Sequence, residues 1–222
     1  SVGAMAQGFQ QGGVSVGGTL NQTTNLNANV SSSAQNGGSA KTRIGAVQRA
    51  DVGGSLNQTT TIQAPVTTFG NLGGKAETNI GRVDGAKVGG NLNQTTTVLA
   101  PVTTRSTGLF SSARTDIGVV QNADVGGSLT QNTIVNQAIL TEGNGVNSKA
   151  VTDIGVIKDA KVGGSVTQTT NVNRAVTTQA NGIGTKAVTE IGKINNANVG
   201  GSLVQNTNID GTVTTVASGV LA

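Results

Sequence analysis

The residue types that most enzymes use for acid–base, nucleophilic or metal chemistry are scarce in this chain. Among its 222 residues there is no His and no Cys, so the usual general bases, nucleophile pairs and zinc ligand sets cannot be assembled. Three of the ten carboxylates recur at matching repeat positions, as Asp116, Asp153 and Glu190. They could in principle hold a cation between layers, but the dense Gly/Asp nonapeptide of calcium-binding β-rolls is absent. We interpret them as solvated surface groups.

Phosphate and nucleic-acid binding are also poorly supported. The glycine-rich stretch from Gly70 to Gly74 has no helix after it, as a phosphate-binding loop would require. The net charge is only +4 and there is no Trp or Tyr, so basic residues clustered with stacking aromatics are missing. No run of about 18 apolar residues could span a membrane as a helix. The sequence therefore predicts a protein that is not an enzyme, with no cofactor or metal site, no nucleic-acid partner and no membrane insertion.

The main feature of the sequence is an internal repeat. The tripeptide Val-Gly-Gly recurs at intervals of 36, 36, 37, 37 and 37 residues, which defines six modules. Its valines are Val16, Val52, Val88, Val125, Val162 and Val199. An isoleucine followed by glycine lies eight residues before five of these valines. These isoleucines are Ile44, Ile80, Ile117, Ile154 and Ile191.

Downstream of each Val-Gly-Gly, residues alternate over seven positions, as in the segment from Leu56 to Ile62. Side chains two apart share one face of a strand, so Leu56, Gln58, Thr60 and Ile62 are predicted to point the same way. The glutamine of this face recurs in every module. These residues are Gln22, Gln58, Gln94, Gln131, Gln168 and Gln205.

These patterns predict an all-β fold, a parallel β-solenoid built from six tandem repeats of 36–37 residues. A single module has too few apolar groups for its own core, whereas stacking places equivalent residues above one another at about 4.8 Å. Ladders of Ile, Val and Gln then build the interior. Helix is the weaker alternative, since runs rich in Val, Thr and Gly with a period of two oppose it. Each Gly-Gly suits a corner that needs positive φ or close backbone approach.

The periodicity leaves open whether a module forms one wide coil or two coils of about 18 residues. The residue before each repeat valine alternates in charge: Asp51, Lys87, Asp124, Lys161 and then Asn198. Alternation removes like-charge repulsion if the modules stack in register, and it slightly favours one coil per module. Chance at a solvated position explains the alternation equally well.

Length varies only between the last apolar position of one module and the next isoleucine, so the segments 69–74 and 105–110 are predicted to be corner loops. Residues 16–222 are predicted to form the solenoid, and 1–15 an N-terminal segment that is a candidate strand between subunits. A disordered N-terminus is the alternative. Neither end carries a charged or proline-bearing cap, so we expect the ends to stack on other copies. The candidate interface residues are Phe9, Val14, Val216, Val220 and Leu221.

The repeat resembles those of bacterial functional amyloids and of β-solenoid subunits of surface filaments. The recurring Gly-x-x-(Leu/Val)-x-Gln-x-Thr pattern and the scarcity of aromatics are similar to the repeats of curli and Fap amyloid subunits. The segment from Asn79-Ile80-Gly81 to Asn93-Gln94 is similar to the Asn-Ile-Gly and Asn-Gln elements of Fap. The chain differs from curli in repeat length and from both families in its Val-Gly-Gly corner. The resemblance implies secretion to the bacterial cell surface and a role in biofilm or surface fibres.

We therefore expect a structural subunit of a secreted, self-assembling filament, with other copies of itself as partners and secretion or nucleation proteins as candidate partners. Two alternatives remain open. One is a monomeric adhesin or passenger domain whose corner loops bind a ligand. The other is an ice-binding solenoid, suggested by adjacent threonines in matching places. These pairs are Thr67-Thr68, Thr103-Thr104 and Thr177-Thr178.

Overall fold

The computed structural model describes residues 4–7 and 10–219, and side chains from residue 13 onwards. All regular structure in these residues is β-strand. The described residues contain no helix long and apolar enough to cross a membrane. The fold is a parallel β-solenoid.

Six coils follow one another, each with five strands. Coil 1 contains β1 (Ala4–Gln7), β2 (Gln10–Gly12), β3 (Ser15–Val16), β4 (Leu20–Leu26) and β5 (Val30–Ala34). Coil 2 contains β6 (Ser39–Ile44), β7 (Ala46–Gln48), β8 (Asp51–Val52), β9 (Leu56–Ile62) and β10 (Val66–Gly70). Coil 3 contains β11 (Lys75–Ile80), β12 (Val83–Asp84), β13 (Lys87–Val88), β14 (Leu92–Val98) and β15 (Val102–Thr107).

The remaining three coils repeat this order. Coil 4 contains β16 (Ser112–Ile117), β17 (Val120–Gln121), β18 (Asp124–Val125), β19 (Leu129–Val135) and β20 (Ile139–Asn144). Coil 5 contains β21 (Lys149–Ile154), β22 (Ile157–Lys158), β23 (Lys161–Val162), β24 (Val166–Val172) and β25 (Val176–Asn181). Coil 6 contains β26 (Lys186–Ile191), β27 (Ile194–Asn195), β28 (Asn198–Val199), β29 (Leu203–Ile209) and β30 (Val213–Ser218).

Equivalent strands of successive coils pair in parallel and form five six-stranded sheets. We name them sheets A to E, from the first to the fifth strand of each coil. In sheet D, Gln94 pairs with Gln58 on one side and with Gln131 on the other. Partners are thus one whole repeat apart, which settles the question left open by the periodicity: each module is one coil.

The seven-residue strands of sheet D show why the sequence folds in this way. In β9, Leu56, Gln58, Thr60 and Ile62 are buried and the residues between them lie closer to the solvent. This is the predicted alternation of a strand with one face on the core.

The core has two apolar clusters separated by a polar layer. The first lies where sheets B, C and the start of sheet D meet, and in coil 2 it includes Val47, Val52 and Leu56. The second lies where the ends of sheets A and D meet the start of sheet E, and in coil 2 it includes Ile44, Ile62 and Val66. Gln58 and Thr60 fall between the two clusters along β9, so the polar layer is part of the interior rather than of the surface.

Two kinds of glycine form the corners. Gly53, the first glycine of a Val-Gly-Gly corner, is needed for close approach, because an added Cβ would lie 2.6 Å from the carbonyl oxygen of Gly17 in the preceding coil. Gly45 instead has a φ of 60°, in the left-handed region that favours glycine. Close approach rather than positive φ is therefore what the Val-Gly-Gly corner requires.

The variable loops lie between sheet E of one coil and sheet A of the next, but they are shorter than predicted. Strand β10 continues to Gly70 and β15 to Thr107, so the first part of each predicted loop is strand. The cause is parallel pairing with the neighbouring coils, which extends through Phe69 and Arg105.

The N-terminal segment pairs within its own chain where it is described. Strand β1 pairs with β6, and β2 pairs with β7. These residues complete coil 1, and a role of the segment between subunits stays a prediction.

Candidate assembly surface

The predicted apolar ladders stack in adjacent strands. Ile44, Ile80, Ile117 and Ile154 are fully buried at the end of sheet A, and Ile191 in coil 6 is partly exposed. In sheet C, Val52, Val88, Val125 and Val162 are buried, while Val16 in coil 1 and Val199 in coil 6 are only partly buried. Each coil is thus covered by its neighbours, and the ladders reach solvent at the end coils.

The glutamines form a hydrogen-bonded ladder with a direction. The Nε2 of Gln94 donates to Oε1 of Gln58 at 3.0 Å, and Gln131 donates to Gln94 at 2.9 Å. Gln168 and Gln205 continue the series at 2.7 and 3.0 Å. Every donor lies one coil after its acceptor. A buried amide is satisfied in this way by its own neighbours.

The same amide groups tie sheet D to the corner after sheet A. Nε2 of Gln131 also donates to the carbonyl oxygen of Gly118 at 2.5 Å, and Gln168 donates to Gly155 at 2.6 Å. The recurring Ile-Gly and Gln-x-Thr elements are therefore contact partners across the coil. Both patterns are visible in the sequence, but the hydrogen bond between the glutamine and the glycine is not.

A chain of hydroxyl groups crosses between sheets A and E, buried along coils 1 to 5 and open to solvent at Thr189 and Thr215 in coil 6. It was not predicted from the sequence. In the central coils Thr115 donates to Thr104 at 2.8 Å, and Thr141 donates to Thr115 at 2.7 Å. The chain has eleven members, with contacts of 2.6 to 3.0 Å. These are Ser32, Thr42, Thr68, Thr78, Thr104, Thr115, Thr141, Thr152, Thr178, Thr189 and Thr215. A threonine two residues before every repeat isoleucine was the available signal.

Comparisons of the chain with protein families, with curated proteins and with solved structures find no match.

Two of the three carboxylates that we interpreted as solvated, Asp116 and Asp153, are buried, so that interpretation is wrong for them, whereas Glu190 is partly exposed. The side chains of Asp116 and Asp153 are 0% and 1% exposed, and they pair with cations from the same or neighbouring coils. Arg82 contacts Asp116 at 2.7 Å, and Arg114 contacts Asp153 at 2.5 Å. Burial of an ionised carboxylate requires such partners.

These pairs continue along the solenoid as a row of alternating charges. Lys158 contacts Asp153 at 3.0 Å and Glu190 at 2.7 Å, and Lys193 contacts Glu190 at 2.6 Å. Since Asp116, Asp153 and Glu190 each already have cationic partners, the row is an internal connection between coils. The described residues contain no group of three or more Asp or Glu side chains that could hold a metal ion.

The pKa values of these groups follow from burial and pairing. Burial raises the pKa of Asp116, and the nearby charges of Arg114 and Arg82 oppose this only in part. Burial also acts to raise the pKa of Glu190, but hydrogen bonds and charges from Lys158 and Lys193 outweigh it and the pKa is lowered. Glu77 has a lowered pKa for the same reason, with Lys41 and Asn79 as its hydrogen-bond partners.

The alternating charges before the repeat valines lie directly beside one another, with Lys87 between Asp51 and Asp124. All three are exposed, and none forms an ion pair in the part of the chain that the structure describes. The alternation avoids repulsion between neighbours without building a site.

The adjacent threonines that suggested ice binding point to opposite sides of sheet E. Thr68, Thr104 and Thr178 are buried members of the hydroxyl chain, and only the first threonine of each pair lies on the outer face. The pairs therefore do not form a double row of surface threonines.

The candidate interface residues fall into two groups. Val14 is half-buried in coil 1 and Val216 is 37% exposed in coil 6. Phe9, Val220 and Leu221 lie outside the described residues.

In coil 6, apolar residues whose equivalents line the core of the other coils are exposed, because no further coil of the described chain stacks on them. Leu203, Ile209 and Val213 are 52%, 44% and 39% exposed. Their equivalents in coil 5 are Val166, Val172 and Val176, which are fully buried beneath coil 6. The open face of coil 6 is thus an unfilled copy of a contact that occurs five times inside the chain.

Proposed function

We propose that this chain is a structural subunit of a self-assembling filament, in which coil 1 of one copy stacks on coil 6 of the copy before it. The observation that carries the proposal is the exposure in coil 6 of the ladder side chains that coils 2 to 5 bury under their successors.

A second copy fits this face because coil 1 continues the same ladders. Leu20, Gln22 and Leu26 stand in register with Leu56, Gln58 and Ile62 of coil 2. On the open face their partners would be Leu203, Gln205 and Ile209. The new contact therefore repeats the residue types of an internal one, and apolar burial favours it.

Backbone pairing supports the same arrangement. The strands β26 to β30 are the last members of their sheets, and β1 to β5 are the first. Within residues 4–7 and 10–219, one edge of each set has no strand beside it, and unpaired parallel edges favour the addition of further strands.

The glutamine ladder gives the stack a direction. Gln205 donates to Gln168, so its Oε1 faces the next position, where Gln22 of a following copy would donate. Contact between unlike ends does not close on itself and produces an open filament. The location outside a bacterial cell, and partners that export or nucleate the subunit, rest on the resemblance to functional amyloid repeats.

Electron microscopy with a matched pair of variants tests the proposal. Leu203 and Val204 are adjacent and similarly exposed, at 52% and 57%, but Leu203 belongs to the ladder face and Val204 to the outer face of sheet D. We expect the unmodified chain and Val204→Lys to form unbranched fibres of uniform width. Leu203→Lys should remain as single rods about 29 Å tall, the height of six layers.

Monodisperse rods from the unmodified chain would contradict the proposal and favour the monomeric adhesin. Thermal hysteresis of such rods would favour ice binding. Equal fibre formation by Leu203→Lys would show that the coil 6 face is not the contact.

A further inference from the structure

The loops between sheets E and A carry an exposed apolar ridge, which we define as Leu72, Leu109, Phe110, Val146 and Ile183. These residues are 63%, 62%, 69%, 36% and 49% exposed, in that order. Backbone bonds from Phe110 to Val146 and from Asn147 to Ile183 hold three of these loops in register. Exposed apolar groups in a contiguous row mark interaction surfaces.

Backbone conformation at two ridge residues is a second, independent observation. Leu72 and Phe110 have φ values of 53° and 57°, where bulky residues are rare. The equivalent turns place Asn36 in coil 1 and Asn147 in coil 4 at this conformation, and asparagine tolerates it far better. Two large apolar side chains thus occupy positions that disfavour them in both solvation and backbone geometry, which points to a role in binding.

The exposed charges at the ends of the ridge loops are positive. Lys75, Lys149 and Lys186 begin the strands that follow three of the loops, and all three are exposed. None of them forms an ion pair within the described residues. The four loop segments 70–75, 107–112, 144–149 and 181–186 contain no acidic residue.

We infer that this ridge binds the surface of an anionic lipid bilayer. Apolar side chains flanked by lysines match the boundary between acyl chains and anionic headgroups, where apolar burial and electrostatic attraction add. The solenoid then lies on the bilayer with its long axis along the surface. The inference does not depend on filament formation, because the ridge lies on the side of the stack.

Vesicle flotation of the full chain tests the inference. We expect binding to vesicles of equal parts phosphatidylcholine and phosphatidylglycerol, weaker binding at high salt, and none to phosphatidylcholine alone. The double variant Leu72→Asn with Phe110→Asn should bind about tenfold more weakly or worse. It should also melt higher than the unmodified chain by roughly 2–4 °C or more, since asparagine relieves the backbone strain.

Charge is tested separately with Lys149→Ser and Lys186→Ser, because Ser112 occupies the same position in coil 4. Each should weaken binding about fivefold. The controls are Leu99→Ser, at an exposed leucine on another corner, and Lys87→Ser on sheet C. Both should leave binding unchanged.

Measurement in the Leu203→Lys background separates this inference from the proposed filament, since single rods carry the whole ridge. Three results would overturn it: equal binding to neutral vesicles, no binding to anionic ones, or equal losses in the control variants. Loss of side-by-side fibre bundling in the asparagine variant without any vesicle binding would assign the ridge to contact between copies instead.

Discussion

Thr133 lies directly against Gly118, and its Oγ1 occupies the space that a Cβ at residue 118 would need. The glycine has a φ of 59°, and its carbonyl oxygen accepts a hydrogen bond from Gln131. One glycine thus combines a left-handed turn, a close contact and an acceptor. The same arrangement recurs at Gly45, Gly81, Gly155 and Gly192.

Gly118→Ala is expected to destabilise the chain by about 2–4 kcal/mol. Roughly 1–2 kcal/mol comes from the left-handed backbone and the rest from overlap with a buried side chain. The matched control is Gly85→Ala, which has a φ of 68° but only Arg49 near its added Cβ, at 3.6 Å. It should lose only the backbone contribution. Urea unfolding checks both values, and equal losses would show that the contact with Thr133 is unimportant.

Gln131→Leu should cost about 2–4 kcal/mol, because Gly118 loses its donor and the two neighbouring glutamines each lose a partner. Thr130→Ala, on the exposed outer face of the same strand, should change stability by less than about 0.5 kcal/mol. Thermal unfolding of the two variants gives the comparison. A small effect at residue 131 would mean that the ladder follows from stacking without contributing to it.

Thr115→Val interrupts the hydroxyl chain with a side chain of the same shape. We expect a loss of about 1–3 kcal/mol, since Thr141 loses its acceptor and Thr104 its donor. Replacing Thr104, Thr115 and Thr141 together by Val should cost less than the sum of the three single changes, because their mutual bonds are all removed at once. Strict additivity in thermal unfolding would contradict a connected chain.

Lowering the pH should weaken the contribution of Glu77 to the stability of the fold. Its folded pKa lies below the ordinary value of 4.5, so its ion pair stabilises the fold above that pH and the contribution is lost as the pH falls through the folded value. The gap in stability between the unmodified chain and Glu77→Gln should therefore narrow below about pH 4.5.

The pKa of Asp116 is shifted the other way. Because burial raises it, the folded state takes up a proton more readily than the unfolded state, and the stability of the unmodified chain relative to Asp116→Asn should increase as the pH falls. Melting temperatures from pH 7 to 3 test both signs. If the melting temperatures of Glu77→Gln and Asp116→Asn changed with pH in the same way, the opposite pKa shifts of Glu77 and Asp116 would be contradicted.

The fold could be predicted from the sequence because the alternation of a half-buried strand recurs at the same position in every repeat. The six repeat valines, from Val16 to Val199, each mark one coil. The inward face of the strand from Leu56 to Ile62 follows from its period of two. Five sheets in parallel register then confirm the solenoid. Repeat spacing alone could not decide whether a module forms one coil or two, since equivalent residues stay aligned in both arrangements.

The polar interior could not be predicted because its partners come from different sheets. Thr42 and Thr68 look like ordinary strand residues, and only the folded coil brings their hydroxyls to 2.6 Å. Likewise, Asp116 reads as a surface carboxylate until Arg82 of the preceding coil is placed beside it. Alternation indicates which side chains point inward, but it carries no information about which inward groups meet.

The pairing of each residue with its equivalent one repeat away has a consequence for how such a chain can change in length. Removal of one complete unit, such as residues 112–148, would bring Lys75 and Lys149 into register and leave every remaining column continuous. A deletion of one residue within a strand would displace the side chains that follow it to the opposite face. The height of the rod can therefore change only by whole turns of about 4.8 Å. Duplication of one repeat in the gene would lengthen the rod by one such turn.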